Sequence, residues 1–181
     1  MLPVDFFIFL QIILLLFISP GLPRVVIVSH SLNYGLKRSI WTALGDVSAN
    51  ICQGILVVFI IGSLLKDNPQ ALNTMKWLGI LYIVYLAYDT YTSKLSSIKS
   101  KSKKLKSRSS FYIDGFLVAA LSPKAIIFFG TIFTSFIDFN SNYYVQFIIL
   151  MSTYVTLDFI TLMIYGLAAE KISLWLKSNP K

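Results

Sequence analysis

Two long stretches of this chain are apolar and free of charge, and they limit its folding more than anything else in it. Phe6 to Pro23, rich in Leu, Ile and Phe, contains no Asp, Glu, Lys or Arg, and neither does Phe139 to Leu157. A run of about 18 such residues is long enough to cross the hydrocarbon core of a bilayer as a helix. The composition agrees. Of the 181 residues, 56% are hydrophobic and 13% charged, and the mean hydropathy is +0.71, whereas soluble domains run about 45–50% apolar and about 25% charged. A secreted domain, a disordered tail and a soluble enzyme are thereby excluded, and the bilayer becomes the first expected partner.

The net charge of +8 would suggest nucleic acid if it covered a soluble face. Seven of the sixteen Lys and Arg instead lie between Lys94 and Arg108, so the membrane accounts for the excess and no nucleic-acid partner is expected. Cys52 is the only cysteine, which excludes an intrachain disulfide, a two-cysteine relay and a Cys-rich metal site. No Lys or Arg precedes the first apolar run and no small-residue cleavage site closes it, so it reads as a retained helix rather than a signal peptide.

Five apolar segments follow from the pattern: about Val4 to Ile18, Ile40 to Leu65, Trp77 to Tyr91, Phe111 to Ile137 and Tyr144 to Leu167. After the fifth, Glu170 to Lys177 is short and amphipathic, suited to the interface or to a further connection. The expected fold is all-α, a polytopic transmembrane bundle of about five helices. It divides into a first three-helix half (1–93), a basic loop (94–110) and a second half of two helices plus the amphipathic tail (111–181). The Lys- and Ser-rich loop belongs in the cytoplasm by the positive-inside rule. Alternating helices then put the N-terminus outside, with twelve Lys and Arg on the cytoplasmic side against two, Lys66 and Lys76, outside. Arg24 and Lys124 remain, each beside a proline.

Phe9–Val28 and Phe116–Ser135 both carry an apolar approach, Ser-Pro, a basic residue and an apolar exit. As the first helices of two three-helix halves they would insert with opposite orientation, the inverted-repeat plan of many secondary transporters, whose broken helices meet at the substrate site. A chance similarity is the other reading. Pro20, Gly21 and Pro23 interrupt the first helix, and Ser122-Pro123-Lys124 the fourth. Proline removes a donor and blocks the helical bond behind it, so each is a broken helix lining a path or an ordinary kink.

Asp158 and Asp46 are the acidic residues deepest in apolar segments. An intramembrane carboxylate costs about 2.5–3.5 kcal/mol on insertion scales, and it can take up a proton or pair with a substrate ammonium. Asp158 has apolar sequence far on both sides, whereas Asp46 stands about one and a half turns into its helix. Asn50 and Gln53 share a face with Asp46, as interhelical glue or as part of a substrate path. Lys124 either snorkels to the surface or meets a carboxylate. His30 reads as structural, Cys52 as a small buried residue, and Trp77, Tyr143 and Tyr144 as interfacial anchors. One His and one Cys leave most hydrolase and redox mechanisms without parts, so neither an enzyme nor a cofactor is expected.

The chain resembles the lysine exporter family of bacterial amino-acid exporters, the LysE/RhtB type. Pro20 and Gly21 match the family's Pro-Gly-Pro-Asn segment, and Gly35 and Gly45 the turn that follows. Lys76-Trp-Leu-Gly-Ile-Leu-Tyr-Ile-Val-Tyr-Leu-Ala-Tyr resembles its third helix, and Phe116-Leu-Val-Ala-Ala-Leu-Ser-Pro-Lys-Ala-Ile-Ile-Phe-Phe its Asn-Pro-Lys segment. Leu22 and Pro23 depart from the first motif and Ser122 from the last. The family usually has a sixth hydrophobic segment, so the chain is expected to be a shortened member. The resemblance implies a bacterial inner-membrane protein exporting amino acids or related metabolites, driven by the proton motive force. Pro20, Gly21, Asn50, Pro123 and Lys124 would line the path, and Asp158 and Asp46 would couple proton or cation. Export of a metal cation, a non-transporting membrane subunit and a homo-oligomer stay open beside it, although the sparse supply of metal-ligating side chains argues against a metal site.

Overall fold

A computed structural model describes residues 3–18, 21–61 and 107–178, together with scattered helical positions between 70 and 88. The described residues form six α-helices and contain no strand. Helix α1 is Phe6–Ile18, α2 Leu22–Tyr34 and α3 Leu36–Leu56, the last extended by a π-helical turn over Val57–Ile61. Helix α4 covers Arg108–Ala120. Helix α5 (Pro123–Ile127) continues as a π turn, Phe128–Ile132, and a 3-10 turn, Phe133–Phe136. Helix α6 runs Tyr143–Ser178. The basic loop expected over 94–110 and most of the Trp77 to Tyr91 segment lie outside the described residues.

The boundaries have local causes. Gly21 stands at the N-cap of α2 with Pro23 in the first turn, where its missing N–H would have had no helical acceptor in any case. Helix α2 ends at Gly35, whose φ of 81° is open to glycine and whose N–H returns to Ser31 O at 3.0 Å. Helix α3 starts at once on the other side, its Leu36 N–H donating to Glu170 Oε1 of α6 at 2.9 Å. The Ser107 hydroxyl caps α4 by accepting from Ser110 N at 3.2 Å.

Two spans, Leu36–Phe59 and Tyr143–Trp175, are long and apolar enough to cross a membrane alone. The other four helices form two bent pairs, α1 with α2 at 50° and α4 with α5 at 55°, each able to make one further span. These pairs run antiparallel. Val4 N at the start of the first donates to Phe136 O at the end of the second at 3.1 Å. At the opposite end Tyr34 of α2 stacks edge-on against Phe111 of α4, with centroids 5.2 Å apart.

Aromatic side chains fill the half of the bundle near Val4. Phe9 and Phe17 from α1, Phe128, Phe129 and Phe133 beyond the second break, and Phe147 and Tyr154 from α6 form one buried cluster. Between lipid-exposed helices burial supplies little net drive, so close packing has to hold the elements together. The closest backbone approach given by the glycines is where α3 crosses α4. A Cβ on Gly45 would sit 2.0 Å from Tyr112 O, and one on Gly115 would sit 2.0 Å from Thr42 O.

Four local expectations change. Helix α3 begins at Leu36 rather than near Ile40, because Gly35 turns the chain within a single residue. Asp46 is therefore the eleventh residue of a 24-residue span, close to its middle. Cys52 is exposed rather than buried, since at 100° per residue it lies well round the helix from the packed face of Asp46, Asn50 and Gln53. Glu170 to Lys177 is no separate tail. It continues α6, held by Glu170 and by the Ser173 hydroxyl, which donates to Leu32 O at 3.0 Å. At 1.5 Å per residue the 36 residues of α6 reach about 54 Å, well beyond an ordinary hydrocarbon core.

Candidate functional site

The two helix breaks lie against each other. Across the α1–α2 break the last turn of α1 has carbonyls that its own helix cannot satisfy. Lys124 Nζ, from the first turn of α5, donates to Leu16 O at 3.3 Å, and the Tyr165 hydroxyl of α6 donates to Ile18 O at 3.1 Å. Lys124 thus sits inside the bundle against a helix C-terminus, where a cation is favoured, rather than snorkelling outward. The α4–α5 break is supported from α3. Pro123 has no N–H to give, and Gln53 Nε2 donates to Ala120 O at 3.0 Å and Ala119 O at 3.4 Å. Gln53 is one helical turn from Asn50, so the polar stripe on α3 serves the break and the charges together.

Those charges form one connected group. Arg24, on the first turn of α2, donates from a terminal nitrogen to Asp158 Oδ1 at 2.6 Å, and both side chains are buried, at 8% and 0% exposure. The guanidinium carbon lies 4.9 Å from the centre of the Phe17 ring, which fixes the plane of the fork. Asn50 Nδ2 donates to Asp158 Oδ2 at 3.1 Å and to Asp46 Oδ2 at 2.9 Å. Its amide nitrogen has two hydrogens, one for each carboxylate. Asp158 is the sixteenth of the 33 residues in its span, so it and Asp46 meet at the same depth.

Within this charge group the hydrogen bonding is incomplete at two atoms, and on the neighbouring stripe Gln53 Oε1 is without a partner as well. Asp46 Oδ1 and Arg24 Nε are buried and have no hydrogen-bond partner. Asp46 is 2% exposed and Arg24 7%, and both line a narrow cleft with Leu16, Gly21, Ser122 and Lys124. The cleft has about 20 Å³ of free room, enough for one water and several times too small for an amino acid.

Of the residues singled out in the sequence, the structure brings Gly21, Asp46, Asn50, Lys124 and Asp158 together around this cleft. Pro123 opens α5 beside it. Pro20 lies outside the described residues. Arg24 and Tyr154 were not assigned to the site. Tyr154 had no signal beyond an aromatic in an apolar helix. Arg24 carried only a weak one, a basic residue beside a proline break, which would need a counter-charge if it lay within the membrane. That partner stands 134 residues away, on no face or turn that spacing could connect. His30 occupies a second polar spot nearer the basic end, hydrogen-bonded to Thr42 Oγ1 at 2.8 Å and 3.6 Å from Asp114 Oδ2. Among the described residues, no three His, Cys, Asp or Glu side chains gather as metal ligands.

A buried charge cluster where two broken helices meet, inside an all-helical bundle with long apolar spans, is the architecture of a multi-pass membrane transport protein. The chain belongs to the LysE type translocator family, which it matches over residues 14–181. It is 26% identical over 161 residues to an uncharacterized membrane protein of Vibrio cholerae, covering 89% of this chain and 78% of that one. It is 24% identical over 167 residues to the homoserine/homoserine lactone efflux protein of Salmonella typhimurium, covering 92% and 81%. With the leucine efflux protein of Klebsiella pneumoniae it shares 23% identity over 164 residues, covering 90% and 77%. No solved structure matches the chain.

Proposed function

We propose that this protein exports an amino acid or a closely related small metabolite from the cytoplasm across the bacterial inner membrane, driven by the proton motive force. The observation that carries the reading is Asp46, buried at the middle of a span on the wall of the cleft between the two helix breaks, with one carboxyl oxygen, Oδ1, left without a hydrogen-bond partner. Family membership and the efflux proteins among the relatives support the direction of transport and the class of substrate.

The coupling follows from charge balance. Arg24 is committed to Asp158, so Asp158 holds the guanidinium while Asp46 keeps an oxygen for exchange. A proton and the ammonium group of a substrate compete for that oxygen. A proton arriving from outside displaces the bound ammonium. Its loss to the cytoplasm frees the oxygen for the next substrate. Two ligands that exclude each other at one site are coupled without a further device. The closed cleft fits a state in which neither side has access, and opening requires α1–α2 or α4–α5 to move at its break. The two antiparallel bent pairs, leading the halves 1–93 and 111–181 as an inverted repeat, supply the symmetry for opening alternately to each side. The N-terminus lies outside and the basic loop 94–110 in the cytoplasm.

Efflux from cells loaded with homoserine- or leucine-containing dipeptides tests this, comparing wild type, Asp46→Asn, Asp158→Asn and empty vector at matched membrane levels. Wild type should release at least one of the two amino acids faster than vector and lose the advantage when the proton gradient is collapsed. Asp46→Asn should fall to the vector rate, and Asp158→Asn should fall as well because Arg24 loses its anchor. Export by Asp46→Asn at the wild-type rate would refute the exchange role.

A further inference from the structure

The two bent pairs also meet near the basic end of the bundle, and the residues that join them there take no part in the charge group at the breaks. His30 of α2 reaches across to α4. Its Nδ1 shares a hydrogen bond with Thr42 Oγ1 of α3 at 2.8 Å, and its Nε2 lies 3.6 Å from Asp114 Oδ2. The ring stands edge-on to Phe111 with centroids 4.9 Å apart, and Tyr34, one turn further along α2, closes on the same Phe111. The helices on either side of this seam are fastened separately. Helix α4 crosses α3 closely at Gly45 and Gly115. Helix α2 is fastened to α6, where Ile27 packs with Leu162 and Leu32 O accepts from the Ser173 hydroxyl.

A narrow gap leads inward from the seam. Val26 and Ile27 of α2, Thr42 and Asp46 of α3, Gly115 of α4 and Leu162 of α6 line it. It spans one turn of α3, from the partner of His30 to the buried carboxylate, and it has no room for a water molecule.

We infer that the His30–Asp114 pair is a pH-controlled gate on cytoplasmic access to Asp46, closed while the imidazole is protonated and released when it is neutral. This rests on the export reading above and names the contact that opens the site inward. At 3.6 Å the two atoms are too far apart for a good hydrogen bond but close enough for opposite charges to attract, so the seam is strongest when the ring carries its second proton. An imidazole changes charge between about pH 5 and 8, and this one belongs to the only histidine in the chain. Thr42 suits both states, because a hydroxyl donates to a neutral Nδ1 and accepts from a protonated one. Asp114 is 34% exposed against 9% for His30, which leaves the pair a way to exchange protons with the cytoplasmic side.

The other ionisable groups on the surrounding elements are placed differently. Tyr34 lies 6.3 Å from the ring, centroid to centroid, and Arg24, deeper on α2, is committed to Asp158. On α3, Asp46 is one turn below Thr42, and Lys37 and Arg38 are exposed in the first turn. Arg108 of α4 lies over the Trp41 ring, while on α6 Glu170 accepts from Leu36 N and Lys171 is exposed. Loss of the proton from His30 loosens the seam, α2 swings at its break, and water reaches Asp46 through the widened gap. A cytoplasm more alkaline than the outside, the condition under which proton-driven export runs, is then also the condition that opens the inner side.

The test is the distance between spin labels on Ser29→Cys and Ile113→Cys, the positions next to the pair, in a Cys52→Ser chain purified whole and reconstituted in lipid without substrate. At about pH 6 this parent chain should hold one short distance, and at about pH 8 a longer population should grow severalfold. His30→Gln and Asp114→Asn, which cannot form the charged pair, should show the longer population at both. His30→Lys, charged throughout, should keep the short one at both. His30→Lys should also export about tenfold less than wild type from dipeptide-loaded cells at matched membrane levels, a loss that a merely structural histidine would not produce while the seam stays closed. Distances in the parent chain that ignore pH would overturn the inference without any variant of the pair. So would a pH response that survives in both His30→Gln and Asp114→Asn, or export by His30→Lys at the wild-type rate. Because the distances are read without substrate, a parent chain that opens as described but exports neither homoserine nor leucine would sink the export reading and leave the pH-controlled seam standing.

Discussion

At Arg24 three features converge: the Phe17 ring on its face, Asp158 at its tip and the cleft that it lines. Removing one partner of a buried pair leaves the other uncompensated, a loss on the order of 3–5 kcal/mol, whereas replacing both by apolar groups of similar size is often neutral. Arg24→Met should therefore lower the unfolding temperature of the detergent-solubilised protein markedly, and Arg24→Met/Asp158→Leu should recover most of it. Equal melting of the single and double variants would mean that the pair adds nothing to stability. The two aspartates were legible in the sequence because a carboxylate inside an apolar segment is conspicuous by its cost. Arg24 was visible only as a basic residue beside a proline. Its role depends on a residue far away in sequence, and periodicity relates neighbours within an element, not across elements.

At the level of elements, the breaks were readable as Ser-Pro in two apolar runs, because proline acts on its own helix. What repairs them was not readable. Gln53 on α3 satisfies the carbonyls before Pro123, and Lys124 on α5 satisfies Leu16, so each break depends on a helix from elsewhere in the chain. The α3–α4 crossing is of the same kind. Gly115 carries no signal in the sequence and Gly45 only a motif match, and it is the approach of each to a backbone carbonyl that leaves no room for a side chain. A side chain at Gly115 forces the helices apart, and overpacking of this sort typically costs about 1–3 kcal/mol. Gly115→Val should lower the melting temperature and the yield of folded protein in detergent, and Gly130→Val, where a Cβ meets nothing within 4 Å, should do so far less. Similar losses at both positions would count against a close crossing.

Over the whole molecule, Lys37, Arg38, Arg108 and Lys171 are all exposed at the end where α2 meets α3 and α6 extends past them. Asp5, Asp138 and Asn140 lie toward the opposite end, where Val4 meets Phe136. In a Cys52→Ser background, a single cysteine at Ser109 should react with a membrane-impermeant maleimide only after the inner membrane is opened, and one at Asn140 should react in intact cells. The reverse pattern would turn the proposed orientation over. The sequence by itself determined the class of fold, because uncharged runs of spanning length leave a chain no stable place but a bilayer. It also determined the segments, the proline breaks and the basic side, since each depends on local hydrophobicity or on charge within a few residues. Only the tertiary structure decided that α2 is a helix of its own, that Asp46 lies at mid-span beside Asp158, and that Arg24 and Lys124 face the same cleft. The reason is physical. Transfer into lipid is a sum over neighbouring residues and can be read along the chain, whereas the pairing of buried charges and unsatisfied carbonyls is settled between helices that meet only once the bundle has packed.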